Sequence, residues 1–454
     1  MGDSVKQTGI SKKWGLCLAL LFMISIFTCL YLNVTLVYGL VMTLTLAIMI
    51  LKTQGIAMKT SLSWIVEGIW SIKSIYIVVL LIGINVAVWI SSGIVPSLIY
   101  YGFSIVDRVY FLLFAYLMTG GVAFFLGTGL GTLSTVGVAL FALGKSIGMP
   151  SGILVGALMS GAYVADRLSP ISALVNFTLE TTEVKFKTYF KRTAVVMIFP
   201  AILSAGLYLL LSLKYPSAIS FVEIQQFKHA LTDAFVISPF YFIIPVVVLW
   251  TSFKGMKSAY VLTLGILMST FITLFVQNTS WSTLLNHILF GFTTPSKMPF
   301  LKSLEIGGAF AMIEVVLIIM AGISMSTLFD KCGFIQPIID LVERRSKGTK
   351  QVVFNTGFLS IVLNALTCDQ TVGILVPGKY LKELFFKYKL DRNTLAQVIA
   401  NTGTNIAPLM PWNVNAIIVL AITGVSALEY APYTFLNLLT LPFVLIFTQL
   451  TENQ

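Results

Sequence analysis

The sequence predicts an all-α polytopic membrane protein with roughly ten to twelve transmembrane segments, and three observations predict it. First, 57% of the 454 residues are hydrophobic and only 10% are charged, with a mean hydropathy of +0.92. A soluble domain carries about 25% charged residues, so this chain has too few to cover a water-facing surface. Second, apolar runs of about 20 residues, the length that crosses a bilayer, recur from one end of the chain to the other. Third, the net charge of +11 sits in short loops between those runs, as in the Lys/Arg-rich cytoplasmic loops of membrane proteins. This placement argues against nucleic acid as the partner of the basic residues and for the lipid bilayer.

The first apolar run, 14–31, follows Lys12 and Lys13. It has the length of a signal peptide but no small-residue cleavage site, and a second run, 34–51, follows at once. Both are expected to be retained as a hairpin. Lys6, Lys12 and Lys13 before it, with Lys52 and Lys59 after it, place both its ends and the N-terminus in the cytoplasm. Residues 61–71 are expected at the interface, and a helix over 75–90 ends at Ser91-Ser92-Gly93-Ile94-Val95-Pro96. A long apolar stretch, 110–143, has a glycine- and threonine-rich centre; the next, 151–177, is interrupted from Asp166 to Pro170. Further helices are expected at 195–213, 235–250, 259–276 and 306–329, with Lys254 and Lys257 in one loop and Arg344, Arg345, Lys347 and Lys350 in another. The last third holds 352–376, a basic loop, 395–422 and a final helix near 433–447. Cys17, Cys29, Cys332 and Cys368 lie in or beside apolar runs without metal-ligand spacing, and read as reduced thiols. His229 and His287 are isolated and give no metal site.

The last third repeats the pattern of the first. In each half a segment broken by small and polar residues is followed, roughly 35 residues on, by a second broken segment with prolines. We therefore divide the single membrane domain, 1–454, into a first repeat, 61–192, and a second, 303–450. Weak internal symmetry with paired interrupted helices is the sequence pointer to the binding site of a secondary transporter.

Four stretches carry the chemistry. Gly127-Thr128-Gly129-Leu130-Gly131-Thr132-Leu133-Ser134-Thr135 combines glycines with hydroxyls. Such backbone unwinds inside a membrane only where protein or a water-filled cavity surrounds it, and its freed oxygens suit a hard cation such as Na⁺; the Gly127/Gly131 spacing equally suits close helix packing. In Gly161-Ala162-Tyr163-Val164-Ala165-Asp166-Arg167-Leu168-Ser169-Pro170 an acid stands at membrane depth, which marks function by default, and Pro170 leaves carbonyls near it free. Asn364-Ala365-Leu366-Thr367-Cys368-Asp369-Gln370-Thr371, ending in Pro377-Gly378, places a second carboxylate, Asp369, among amides and hydroxyls. Asn401-Thr402-Gly403-Thr404-Asn405-Ile406-Ala407-Pro408-Leu409-Met410-Pro411-Trp412-Asn413 has two prolines three residues apart, which no unbroken helix accommodates. Asp166 and Asp369 are the expected ion-binding carboxylates, with Thr128, Thr132, Ser169, Asn364, Thr404 and Asn413 as neutral oxygen ligands. Glu314 stands apart in the middle of 306–329 with apolar neighbours, where an acid costs about 2.5–3.5 kcal/mol; it either faces the pathway or simply a neighbouring helix.

These motifs resemble the NhaC family of Na⁺/H⁺ antiporters, which includes Na⁺-coupled malate/lactate exchangers. The resemblance covers nearly the whole chain. It is strongest at Ser92-Gly93-Ile94-Val95-Pro96-Ser97-Leu98-Ile99-Tyr100-Tyr101-Gly102 and at the four breaks, down to the Asp369-Gln370 pair with Pro377-Gly378 and the Pro411-Trp412-Asn413 run. It implies an inverted-repeat ion-transporter architecture with re-entrant hairpins and unwound helices meeting near the bilayer midplane, an inner (plasma) membrane location and Na⁺ coupling. Two departures stand out. Where the family has a further acid and two threonines after its Ser-Pro, this chain has Ala173, Leu174 and Val175, and where it has a tryptophan this chain has Leu130. Glu314 is then the candidate replacement for the lost acid.

The expected activity is exchange of cytoplasmic Na⁺ for external H⁺, the two competing for carboxylates whose desolvation makes bare charge costly. The alternative is Na⁺- or H⁺-coupled exchange of a small carboxylate or amino acid, for which Arg167 and the asparagine-rich second half are suited. An enzyme is not indicated: there is no nucleophile–base pair, metal-ligand set or nucleotide loop, and no cofactor is expected beyond the transported Na⁺ and H⁺. The sequence leaves room for a homo-oligomer.

Overall fold

The structure is a computed structural model and describes residues 12–450 apart from 33, 106–109, 171, 216–220, 255, 257, 297, 303 and 369. Every regular element among the described residues is helical. Among the described residues, four helices are long and apolar enough to cross a membrane unbroken: Leu36–Thr53, Lys73–Ser91, Phe186–Lys214 and Ala311–Lys331. The remaining apolar length lies in shorter helices and in pairs bent at a break. Gln225–Ala234 turns by 82° into Pro239–Val248, and Arg392–Leu409 by 40° into Val414–Thr423. The bend before Pro239 is where the sequence suggests a continuous helix over 235–250. Ser238 is extended there, its hydroxyl accepting from Phe240 N, and Pro239 opens a short 3₁₀ turn.

The opening hairpin, Lys12–Leu32 and Leu36–Thr53, is closed by Gly39 against Cys29 and the Ser25 carbonyl, with Thr43 Oγ1 donating to Ser25 Oγ at 2.8 Å. Ala311–Lys331 packs against this hairpin's second helix, against Met58–Ser71 and against Lys73–Ser91. Gly68 receives Thr327, and Gly83 receives the Gly308 backbone, whose N–H donates to the Gly83 carbonyl at 2.8 Å. The segment expected at the interface, 61–71, thus uses Gly68 and the buried Ser61 for protein contact. Gly307 and Gly308, with φ of 86° and 90°, hold the chain in a left-handed turn, so the helix expected from 306 starts at Ala311. That moves Glu314 from the middle of a span to a first turn. There it is exposed and accepts a hydrogen bond from Thr35 Oγ1.

Besides the packing of Ala311–Lys331, the two halves meet along two further long seams. In one, Ala173–Thr182 lies on Gln370–Tyr380, with Thr181 seated over Gly378. Just beyond it Glu183 takes Lys382 at 2.5 Å and also Arg392, and Arg192 pairs with Asp391 at 2.8 Å. The Lys382 hydrogen bond, aided by the Arg392 and Lys382 charges, holds the Glu183 carboxyl below its ordinary range. In the other seam Phe186–Lys214 lies on the last helix, Phe435–Leu450. Within the first half Phe111–Leu126 and Ser151–Ala162 form the closest helix pair, at Gly161.

Two outcomes follow from this packing. A Cβ on Gly161 would overlap Thr119 Oγ1 and the Tyr116 carbonyl and lie 2.8 Å from Gly120 N. Gly161→Ala should therefore lower stability by about 1–3 kcal/mol, whereas Gly121→Ala, which meets nothing within 4 Å, should not; thermal unfolding in detergent compares them. Glu183→Gln should lower the melting temperature at neutral pH. Because the folded carboxyl titrates below the free value of about 4.3, the Glu183 contribution is complete above that pH. It is lost as the pH falls through the folded value, where the two proteins should converge.

Candidate functional site

The first break begins where Phe111–Leu126 ends in Gly127, whose φ of 69° is left-handed. Thr128 is extended and caps the short helix Gly129–Thr132, its hydroxyl accepting from Gly131 N at 3.3 Å; a π-helical turn, Leu133–Gly137, follows. Thr132 Oγ1 donates to the Thr128 carbonyl at 2.9 Å. Both expected threonine ligands thus serve the turn that opens the helix.

The second break follows Ser151–Ala162. Ala165–Leu168 forms a single turn, Ser169 is extended, and Ala173–Thr182 resumes the helix. Asp166 is buried in that turn and faces the first break. Gly129 N lies 3.4 Å from its Oδ1. A Cβ on Gly129 would stand 3.3 Å from both Asp166 Oδ2 and the Ala162 carbonyl, so glycine there lets the backbone N–H close on the carboxylate. Among the described residues no cation pairs with Asp166. The hydroxyls of Tyr163, Ser169 and Ser172, all buried beside it in sequence, lack hydrogen-bond partners.

Arg167 points elsewhere. Its side chain is 1% exposed; Nε donates to the Tyr163 carbonyl at 3.2 Å and one terminal nitrogen to Thr440 Oγ1 at 3.1 Å. The other terminal nitrogen has no partner. Tyr189 OH donates to the Arg167 carbonyl at 3.0 Å.

In the second half, Thr349–Thr367 ends at Cys368 with a left-handed φ of 58°. Gln370–Tyr380 follows with Pro377 inside it. Asp369 lies outside the described residues. The fourth break locks onto this turn: Gln370 donates to the Thr404 carbonyl (2.9 Å), Trp412 to the Ala365 carbonyl (2.9 Å) and Val414 N to the Cys368 carbonyl (3.1 Å). Asn364 is fully buried with neither amide atom bonded, and it lies so tightly on Gly373 that a Cβ there would overlap its oxygen. Thr404 is buried, its hydroxyl 3.5 Å from the Ile399 carbonyl. Asn413 Oδ1 caps the next helix, accepting from Asn415 N, while its Nδ2 is unpaired.

The candidate ligands thus fall into two groups: Asp166 with the first break, and Asn364, Thr404 and Asn413 around the third and fourth. The groups adjoin through Val414–Thr423, which packs on Gly129–Thr132, and through the last helix, which carries Thr440. Among the described residues no hydrogen bond joins Asp166 to Asn364, Thr404 or Asn413. Glu314 joins neither group. A cavity of about 870 Å³ lies elsewhere, lined by Ser91, Asp233, Gln277, His287 and neighbours, and takes no residue from any break.

Several site residues escape the sequence reading. Asn437 and Thr440 stand three apart in the apolar final helix. Asn437 and Asn405 each donate to the other's carbonyl, at 2.9 and 2.6 Å. Gln397 donates to Thr193 at 2.7 Å, and Tyr430 OH to the Pro408 carbonyl at 2.7 Å. The signal was present as isolated amides and hydroxyls inside apolar runs, each of which needs a partner.

Comparison with known proteins bears on this arrangement directly. The sequence profile of the Na⁺/H⁺ antiporter family matches residues 161–449, more than half of the chain and three of its four breaks. The chain belongs to the Na⁺/H⁺ antiporter family. It is 30% identical to the Na⁺/H⁺ antiporter NhaC of Bacillus subtilis, over 84% of this chain and 85% of that protein. It is 27% identical to NhaC of Alkalihalophilus pseudofirmus, over 83% of this chain and 81% of that one. The malate-2H⁺/Na⁺-lactate antiporter of Bacillus subtilis is 25% identical over 87% of this chain and 84% of its own. Residues 3–213 also match the profile of C4-dicarboxylate anaerobic carriers. The chain is a divergent NhaC-type multi-pass membrane protein, as its motifs suggest.

The buried Tyr189–Arg167 bond is the contact most exposed to a simple test. Tyr189→Phe strands a buried carbonyl and should cost about 1–3 kcal/mol, measured as a loss of thermal stability in detergent.

Proposed function

We propose that this NhaC-type protein is a secondary active antiporter exchanging cytoplasmic Na⁺ for external H⁺ at Asp166, with Asp369 as the matching carboxylate of the second half. One observation carries the reading: Asp166 is buried at a helix break, with one backbone N–H at 3.4 Å and, among the described residues, no cation in salt-bridge contact with it. An ionised carboxylate so placed costs several kcal/mol, and a proton or a Na⁺ removes that cost by the same unit of charge. Two ions that neutralise one group exclude each other there, and that exclusion is what couples their fluxes. The unpaired Tyr163, Ser169 and Ser172 hydroxyls are neutral oxygens of the kind a hard cation takes. Asn364, Thr404 and Asn413, buried at the third and fourth breaks, offer the same in the second half.

In this reading the two repeats are inverted, the chain sits in the inner (plasma) membrane with its N-terminus in the cytoplasm, and the hairpin-bearing segments move past a scaffold. The basic loops support that orientation. A second reading, exchange of a small carboxylate, is favoured by the unpartnered nitrogen of Arg167 and by the likeness to dicarboxylate carriers. Uptake of labelled substrate into proteoliposomes, competed by a panel of carboxylates, separates the two.

In inverted vesicles, Na⁺ should dissipate a pre-formed pH gradient, and Asp166→Asn should abolish the effect. Because protons compete at the carboxylate, each tenfold rise in proton concentration should raise the Na⁺ needed for half-maximal exchange by up to about tenfold. Na⁺-dependent dissipation that survives Asp166→Asn overturns the assignment.

A further inference from the structure

The network around the last helix has donors and acceptors in the wrong places. The Arg167 guanidinium, 1% exposed, has one nitrogen with nothing to donate to. On the fourth break and the last helix, the amide oxygens of Asn405 and Asn437, each 1% exposed, have nothing to accept from. Those amides are not free to flip. The Nδ2 of each is committed to the other's main-chain carbonyl, at 2.6 and 2.9 Å, which fixes both oxygens as acceptors. Thr440, the present partner of Arg167, stands three residues beyond Asn437 on one helix, a spacing that puts two side chains on neighbouring positions of a face about 5–6 Å apart.

A protein interior does not normally leave a buried charged donor and two buried acceptors without partners. A move of one turn along the last helix would carry the guanidinium from Thr440 to Asn437, which is tied to Asn405. Arg167 is also placed to make it. It occupies the four-residue turn Ala165–Leu168, between the Ser151–Ala162 helix and extended Ser169, so it travels with whatever motion moves Asp166.

We propose that Arg167 is a positioning residue that exchanges partners as the carrier alternates, leaving Thr440 for the amide oxygens of Asn437 and Asn405. It rests on the antiport reading only in assuming that the Asp166-bearing break moves. The Asn405–Asn437 tie is common to both states, and Thr440 and the two amide oxygens stabilise opposite ones. Weakening either partner shifts the population toward the other state.

The test reads conformation rather than transport. With the four native cysteines replaced by serine, Ser169→Cys is labelled by a membrane-impermeant maleimide added to one side of reconstituted vesicles. Thr440→Val should change the labelling rate at least threefold in one direction, and Asn437→Ala at least threefold in the other. Asn405→Ala, which removes the second oxygen, should follow Asn437→Ala and serves where that variant does not fold. Changes in the same direction, or none, overturn the proposal: the unpaired groups are then held by fixed water. Failure of vesicles holding the unsubstituted chain to exchange Na⁺ for H⁺ would count against the antiport reading alone, because the labelling needs no transported ion.

Discussion

Inside a bilayer every backbone N–H and C=O must find its partner within the protein, and the four broken helices make that requirement hard to meet. The breaks meet it by capping one another. Gly129 N turns to Asp166, Val414 N to the Cys368 carbonyl, and Gln370 to the Thr404 carbonyl. Tyr430 covers the Pro408 carbonyl, which lies in the short turn Ala407–Leu409 where the helix gives way. No break is self-sufficient, so none can be placed alone. The Arg392–Leu409 bend, the left-handed Cys368 and the tryptophan at 412 follow from this mutual dependence. So does the position of Asp166, which is held where another segment's unpaired amide needs an acceptor.

Close approach between backbones is the other half of the arrangement. Gly161 lets two helices touch behind the second break, Gly373 gives Asn364 its place, and Gly403 sits against Ser360, whose hydroxyl in turn donates to the Gly373 carbonyl at 2.7 Å. Packing by small residues is how membrane helices associate without a hydrophobic drive. Here it also keeps the polar groups of the breaks away from lipid, so the residues that make the fold tight are those that make a charged pocket tolerable.

Much of this was legible in the residues. The apolar runs, the four breaks and the burial of Asp166 follow from hydropathy and from glycine and proline. What was not legible is depth and pairing. Glu314 reads as mid-span because Ile306 to Phe310 are apolar or small, yet the left-handed Gly307 and Gly308 delay the helix and leave the acid in a first turn. Asn437 and Thr440 look like minor interruptions of an apolar helix, and only the fold shows that they face the fourth break and Arg167. A one-dimensional pattern records that a polar group needs a partner; it does not record which one.

That placement of Glu314 bears on the electrical balance of exchange. Asp166 and Arg167 together are neutral when the carboxylate is bare, and carry one positive charge whether a proton or a Na⁺ is bound. A carrier that exchanged ions at Asp166 alone would move equal charge on both legs, one Na⁺ for one H⁺, and the membrane potential would not drive it. A dependence on potential, worth about 2.3 kcal/mol per charge per 100 mV, needs unequal numbers of the two ions, which a further acid in the pathway would supply. Glu314, exposed and bonded to Thr35, does not reach the breaks. Of the acids in the four broken segments that leaves Asp369, the one acid there besides Asp166 that could add such a charge.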